Sequence, residues 1–237
     1  MTTRAMQQCG RLIRDLPKAE PPYRTSLSPE PQPIVIPKTK KDVDEIINQI
    51  RTILTLEVEG SKLGAHLMRA CEKLLSDPRF WKSPAAAYKH QAHLGGLAVH
   101  TLQVLQLSIA WANILVARAP DRLVLIYAAL YHDAGKMIDY KEVDPKTNPK
   151  AVNGYWFTES HEMIGHLIAS HRIMRENSIP WSATRQELAE HCVLSHHGQL
   201  EWGSPVTPAR VEAWILHLSD MMSSRLDDPT EAKRGKK

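Results

Sequence analysis

From residue 41 the apolar positions Val43, Ile46, Ile47, Ile50, Ile53 and Leu54 recur at intervals of three and four, the spacing of one helical face. The same periodicity predicts a second helix over about 60–76, ending at Asp77-Pro78. Further helices are predicted at about 94–117, 121–132, 159–177, 184–197 and 208–226. Gly198 stands where a C-terminal cap glycine is expected, and Pro208 suits the first turn of the last helix. No run of alternating strands and no repeat of 20–50 residues is present. Residues 140–158 (YKEVDPKTNPKAVNGYWFT) are polar and turn-rich and read as a surface loop. Residues 15–38 contain seven prolines and little periodicity. Proline fixes φ and removes a donor, so 1–38 reads as an extended arm. The pattern predicts an all-α chain: a proline-rich arm at 1–38, a helical domain at 39–228 and a basic tail at 229–237.

Composition narrows this picture. A chain of 237 residues that is 43% hydrophobic can bury one sizeable core and a small appendage. No stretch approaches the roughly 18–20 uninterrupted apolar residues of a membrane span. The opening MTTRAMQQCGRLIRDLPKAEPP lacks the apolar core of a secretory signal. No membrane partner is therefore expected. Cys9, Cys71 and Cys192 are few, odd in number and far apart. They suggest neither a disulfide framework nor a thiolate metal site, and a reducing, cytoplasmic setting fits best. The net charge of +4 owes much to the tail KRGKK, which reads as a solvated end rather than a nucleic-acid grip. Twelve histidines, eleven of them between His66 and His197, direct attention to metal binding.

His100, His132-Asp133, His166, His196-His197 and Asp220 each sit in a predicted helix that otherwise supplies core. A single histidine of this kind is more often a hydrogen-bonded core or surface group than a ligand, and a lone His-Asp pair is weak. Five helices each delivering a polar group from an apolar context point to one shared centre, because several helices can aim imidazoles and carboxylates at one point.

The order H…HD…H…HH…D resembles the HD-domain superfamily of metal-dependent phosphohydrolases, and more closely the HD domain of YhaM-type bacterial 3′→5′ exoribonucleases. The resemblance covers about 85–228 and rests on HLGGLAVHTLQV (93–104), HDAGKM (132–137), GHLI (165–168), LSHHGQLEWGSP (194–205) and ILHLSDMMSSRLD (215–227). Those enzymes carry His-His where this chain has His90-Gln91. They also place an OB-fold before the HD domain, where this chain has the proline-rich arm and two predicted helices. That difference puts processivity on long RNA in question and leaves the hydrolytic chemistry open.

The resemblance implies a HD-type helical bundle and two divalent metal ions, manganese first and iron, nickel, cobalt or magnesium as alternatives. His100, His132, Asp133 and Asp220 would hold one ion. His166 and His196 would hold the second, with Asp133 bridging. Two such ions about 3.5–4 Å apart can lower the pKa of a shared water toward about 7 and clamp a phosphate oxygen. A bridging hydroxide would then attack phosphorus in line.

Lys136, close to one turn after Asp133, is expected to neutralise a phosphate oxygen. His197 contacts substrate phosphate, donates a proton to the leaving oxygen, or orients His196. Trp202 either stacks on a base or anchors its loop. Arg225 approaches phosphate or is a surface charge. His217 shares a face with Asp220 and is expected to make a supporting hydrogen bond in place of ligation. An exposed role is expected for His161, structural roles for His66, His171 and His191, and a core-anchoring role for Trp81.

Three functions follow as expectations. The first is a metal-dependent phosphodiesterase that shortens single-stranded nucleic acid from its 3′ end. The second keeps the centre and takes free nucleotides, dNTPs or cyclic dinucleotides. The third is a non-catalytic, metal-stabilised binding module. Oligomeric state has no signal in the sequence.

Overall fold

Helix starts along the chain coincide with side chains able to satisfy the first free amides. In the computed structural model, residues 36–87, 91–151 and 153–226 are described. Most of the arm, His90 and the basic tail lie outside them. Thr39 and Asp42 form a capping box before α1 (Lys40–Val58). α2 spans Gly64–Leu75. Asp77-Pro78, expected only to end a helix, instead starts a short one, α3 (Pro78–Lys82), with Asp77 as its cap and Pro78 in the first turn. α4 (Gly96–Ile114) is buried on nearly every side, as a central helix must be when it lacks a polar face. Asp121 caps α5 (Arg122–Tyr131), which is buried from Val124 onward.

Next come α6 (Lys136–Asp139) and an antiparallel hairpin of β1 (Tyr140–Glu142) and β2 (Tyr155–Phe157). α7 (Glu159–Met163), α8 (His166–Glu176), α9 (Ala183–Ser195) and α10 (Val211–Leu226) complete the order. α4 packs against α1, α5 and α10, and α5 also meets α2, α8 and α9. Tyr127 and Tyr131 cross this core and donate their hydroxyls to the Met174 and Ala70 carbonyls. Trp81 is partly buried against the core, with the Lys40 and Lys82 ammonium groups 5.2 and 5.4 Å from its ring.

The chain is all-α apart from that hairpin, as the periodicity predicts, with three departures besides the added helix α3. The helix expected over 159–177 is two, because Gly165 adopts φ +72 and breaks the ladder after Ile164. The last helix begins at Val211, not 208. Pro208 lies in the non-helical approach, and the Arg210 carbonyl accepts the amide of Trp214. The expected surface loop contains the hairpin, whose strands are three residues each and too short to show alternation. Gly198 lies two residues beyond the C-cap of α9 with φ +84.

α4 is the one described helix long and apolar enough to cross a membrane, yet 61% of that stretch is buried inside the fold. Cys71 and Cys192 are buried free thiols.

α8 and α9 are tied by Glu190, which accepts hydrogen bonds from His171 (3.0 Å), Arg175 (2.5 Å) and Gln186 (2.9 Å). Burial alone would raise the Glu190 carboxyl. The three donors outweigh it and bring the pKa down to about 2. A folded-state pKa below the unfolded one stabilises the fold above the unfolded value, and that stability is lost as pH falls through the folded value. Glu190→Gln is therefore expected to melt lower than the parent at pH 6, by about 1 kcal/mol or less given solvent screening. The gap should close between about pH 4.5 and 2 in thermal melts across that range.

Candidate metal centre

Five elements deliver polar groups to one buried point. His100 lies on α4 one turn from its start. His132 is the C-cap of α5, and Asp133 follows it directly. His166 opens α8, His196 is the C-cap of α9 with His197 next, and Asp220 lies on α10. His100, His132, Asp133 and His196 are essentially inaccessible to solvent.

The rings are held from behind. His132 Nδ1 donates to the Ala129 carbonyl (2.8 Å), His196 Nδ1 to Val193 (2.7 Å) and His197 Nδ1 to Trp202 (2.8 Å). His100 Nδ1 donates to Ser223 Oγ (2.9 Å), whose own proton goes to Gln103 Oε1 (2.6 Å). Gln91 Nε2 also reaches Gln103 Oε1 (2.8 Å), so the glutamine at the position of departure from the YhaM-type pattern braces His100 through two intermediates. A carbonyl can only accept, so each bonded Nδ1 carries the proton and the Nε2 lone pair faces inward.

Two groups result, each with ligand atoms within 4.8 Å of one another: His100, His132, Asp133 and Asp220, and His166, His196 and His197. His100 and His132 approach Nε2 to Nε2 at 3.2 Å, as do His166 and His197. For His100 and His132, whose Nδ1 atoms both carry the proton, facing lone pairs at that distance repel unless a proton or cation lies between them.

Asp133 stands between the groups. Its Oδ2 is 3.2 Å from His100 Nε2 and 3.4 Å from His132 Nε2, while its Oδ1 is 3.6 Å from both His166 Nε2 and His196 Nε2. Asp133 Oδ1 and His196 Nε2 are buried without a hydrogen-bond partner among the described residues. Leaving such atoms unpaired is costly. Orphaned acceptors, inward lone pairs and two carboxylates fit a divalent cation, and imidazole with carboxylate suits a first-row transition metal.

Electrostatics agree. Burial opposes ionisation of Asp133, yet Lys136, His132 and His100 hold it well below the usual carboxylate range. Asp220 is likewise depressed, burial being outweighed by His100. Burial lowers His100, but Asp133 and Asp220 raise it above its ordinary value, so a positive charge is favoured at that point. Burial lowers His196, and burial together with His196 lowers His197 to about 4. Both rings are therefore neutral donors near pH 7.

Other expected residues fall less evenly. Lys136 is buried, with Nζ 2.6 Å from Asp133 Oδ2; it is not a solvent-facing lysine. His197 meets the His196 ring edge-on, with centroids 4.5 Å apart, while His196 Nδ1 bonds the Val193 carbonyl, and His197 sits in the ligand group itself. Trp202 is 48% exposed, and its carbonyl ties its loop to His197. Arg225 is exposed, as the surface-charge reading has it, and the phosphate reading finds no support. It lies beside Trp111, Leu218, Met221 and Met222, and at about 100° per residue five positions from Asp220 turn it away from the centre.

His217 makes a supporting hydrogen bond, donating to the His196 carbonyl (2.8 Å). His191 accepts the Ala209 amide and His171 bonds Glu190. His161 is a correction, because its ring turns inward to Asp139 (2.8 Å). Sequence reasoning missed Asp139, a buried carboxylate 3.6 Å from His166 Nδ1. Its only signal was a lone acid six residues after Asp133, at the edge of a polar loop.

Comparisons with known proteins converge on the same stretch. The family model described as HD domain matches residues 97–225, which contain both groups. The 3′-5′ exoribonuclease YhaM of Geobacillus sp. (strain WCH70) is 30% identical over 154 residues, covering 64% of this chain and 44% of that protein. The protein of the same name from Shouchella clausii (strain KSM-K16) is 29% identical over 172 residues, 68% of this chain and 49% of its own. That of Bacillus velezensis (strain DSM 23117 / BGSC 10A6 / LMG 26770 / FZB42) is 31% identical over 150 residues, 62% and 44%. The chain thus spans less than half the length of these relatives. No solved structure matches it significantly. With a family match over more than half its length and a buried set of histidines and aspartates in the order that resemblance requires, the chain belongs to the HD domain family, whose members are metal-dependent phosphohydrolases.

Proposed function

We propose that the protein is a two-metal phosphodiesterase that shortens single-stranded nucleic acid from its 3′ end. The observation that supports it most is the Asp133 carboxylate, whose two oxygens face two separate imidazole groups. His100, His132 and Asp220 would hold one ion with Asp133 Oδ2. His166, His196 and His197 would hold the other with Oδ1. When bound, divalent ions supply Lewis acidity that polarises a phosphoryl oxygen and makes water nucleophilic near neutral pH. Manganese is the proposed metal, within the transition-metal preference of the donors.

The remaining roles belong to the chain. Lys136 keeps Asp133 ionised and oriented through the 2.6 Å contact. Its side chain is 11% exposed, so its charge also reaches a phosphate oxygen bound beside Asp133. Trp202, tied to His197 through its carbonyl, presents its exposed ring to a terminal base. Burial of the inner groups excludes competing solvent. The exonuclease direction and the nucleic-acid substrate are supported by the names of the relatives.

Purified protein incubated with manganese and a 5′-labelled single-stranded oligonucleotide should yield a ladder shortening from the 3′ end, abolished by chelation. Full-length oligonucleotide alongside rapid turnover of free nucleotides would replace this reading with a nucleotidase. No turnover of either by metal-loaded protein would leave a binding module.

A further inference from the structure

Asp139 closes α6, and its carboxyl group is 1% exposed. Its Oδ2 accepts a hydrogen bond from His161 Nδ1 at 2.8 Å and lies 3.6 Å from His166 Nδ1, while Oδ1 has no partner among the described residues. The ion pairs described for it are to these two histidines alone. Three other inward-facing rings, His132, His196 and His197, lean on neutral carbonyls, and His100 leans on a hydroxyl. His166 is the member whose rear nitrogen faces a carboxylate.

The placement has a charge logic. The group around His100 contains Asp220 as well as one oxygen of Asp133, whereas the group around His166 consists of three imidazoles and the other oxygen. A buried divalent cation among neutral rings needs compensating negative charge. A carboxylate behind a ligating imidazole fixes its tautomer and makes its front nitrogen a stronger donor.

Asp139 is itself gripped by the hairpin and α7. The Thr158 amide donates to the Asp139 carbonyl, and Thr158 Oγ1 donates to the Ile138 carbonyl. Phe157 stacks on His161 at 4.1 Å with 22° between the rings. The hairpin that sequence reasoning took for a loop thus holds the acid that faces His166.

Resting on the two-ion reading above, we infer that Asp139 is a positioning residue that acts through His166 to set the affinity of the ion in the His166 group, and that His161 latches Asp139 in place. At 3.6 Å the contact to His166 is an electrostatic one, longer than a formed hydrogen bond. The effect therefore runs through charge and ring orientation.

Cobalt titration of the full chain, followed by visible absorbance, tests this without any turnover. The parent should take up two equivalents. Asp139→Asn should weaken one of the two steps about 10–100-fold and leave the other unchanged. His161→Phe, which keeps the stacking but removes Nδ1, should weaken the same step to a lesser degree. In a His166→Ala background Asp139→Asn should add nothing. Asp139→Asn binding both ions like the parent, or weakening both equally, would overturn the inference, as would a further loss in the His166→Ala background. If Asp139→Asn fails to fold, His161→Phe decides, and unchanged binding in that variant overturns the latch and the inference with it. A parent that takes up only one ion refutes the two-ion reading itself, a result that the variants cannot mimic.

Discussion

Asp133→Asn is expected to reduce metal-dependent phosphodiester hydrolysis by about three orders of magnitude, about 4 kcal/mol of transition-state stabilisation, with the fold retained. The substitution is isosteric but removes the charge that both groups share through Oδ1 and Oδ2. It also leaves Lys136 without its buried counter-ion. Loss of one partner of a buried pair costs about 3–5 kcal/mol when the other stays charged, so some loss of thermal stability accompanies the kinetic defect. Turnover of the oligonucleotide with saturating manganese, alongside far-ultraviolet circular dichroism, separates the two effects. Retained turnover would remove Asp133 from the chemistry. No turnover in either parent or variant, with partner binding intact in both, is the signature of a binding module.

Gly135→Ala is the second. A Cβ at Gly135 would lie 2.2 Å from the His166 carbonyl oxygen, 2.7 Å from the Ser170 amide and 2.8 Å from Ala169 Cβ. All three belong to α8 and two are backbone, so neither side can yield cheaply. The Gly135 amide also donates to Ser170 Oγ at 2.8 Å. The backbone of the HDAGK segment must therefore touch the start of α8, and that contact brings His166 within 3.6 Å of Asp133. The expected cost is about 2–3 kcal/mol of stability, seen as a melting temperature lower by roughly 4–12 °C. Uptake of an ion by the His166 group should weaken as well. A variant that melts with the parent would show that α6 and α8 are not locked in this approach.

The helices were legible because their apolar spacing is also their packing. Val43, Ile46, Ile50 and Leu54 form one buried face of α1, as the interval of three and four requires. The residues of the centre were legible for a different reason. A histidine or aspartate inside an apolar helix is conspicuous, and the HD-type order supplied the grouping. What the sequence hid depends on contacts far apart in the chain. The break at Gly165 was concealed because Met163, Ile164 and Leu167 continue a plausible helical face across it.

Asp139 looked like one more acid in a polar loop, since nothing local shows that α7 folds back to cover it. The direct pairing of Lys136 with Asp133 follows from the tight turn between α5 and α6, which spacing alone does not show. Of the two readings of Arg225, helical phase favours the surface charge, since five positions beyond Asp220 face away from it.

The central claim is that one carboxylate serves two cations. Anomalous diffraction at the manganese edge, from crystals of the full chain grown or soaked with manganese, tests it most directly. The account predicts two peaks flanking the Asp133 carboxylate, one among His100, His132 and Asp220 and one among His166, His196 and His197. A single peak, or none, from crystals in which manganese has reached the protein would contradict it.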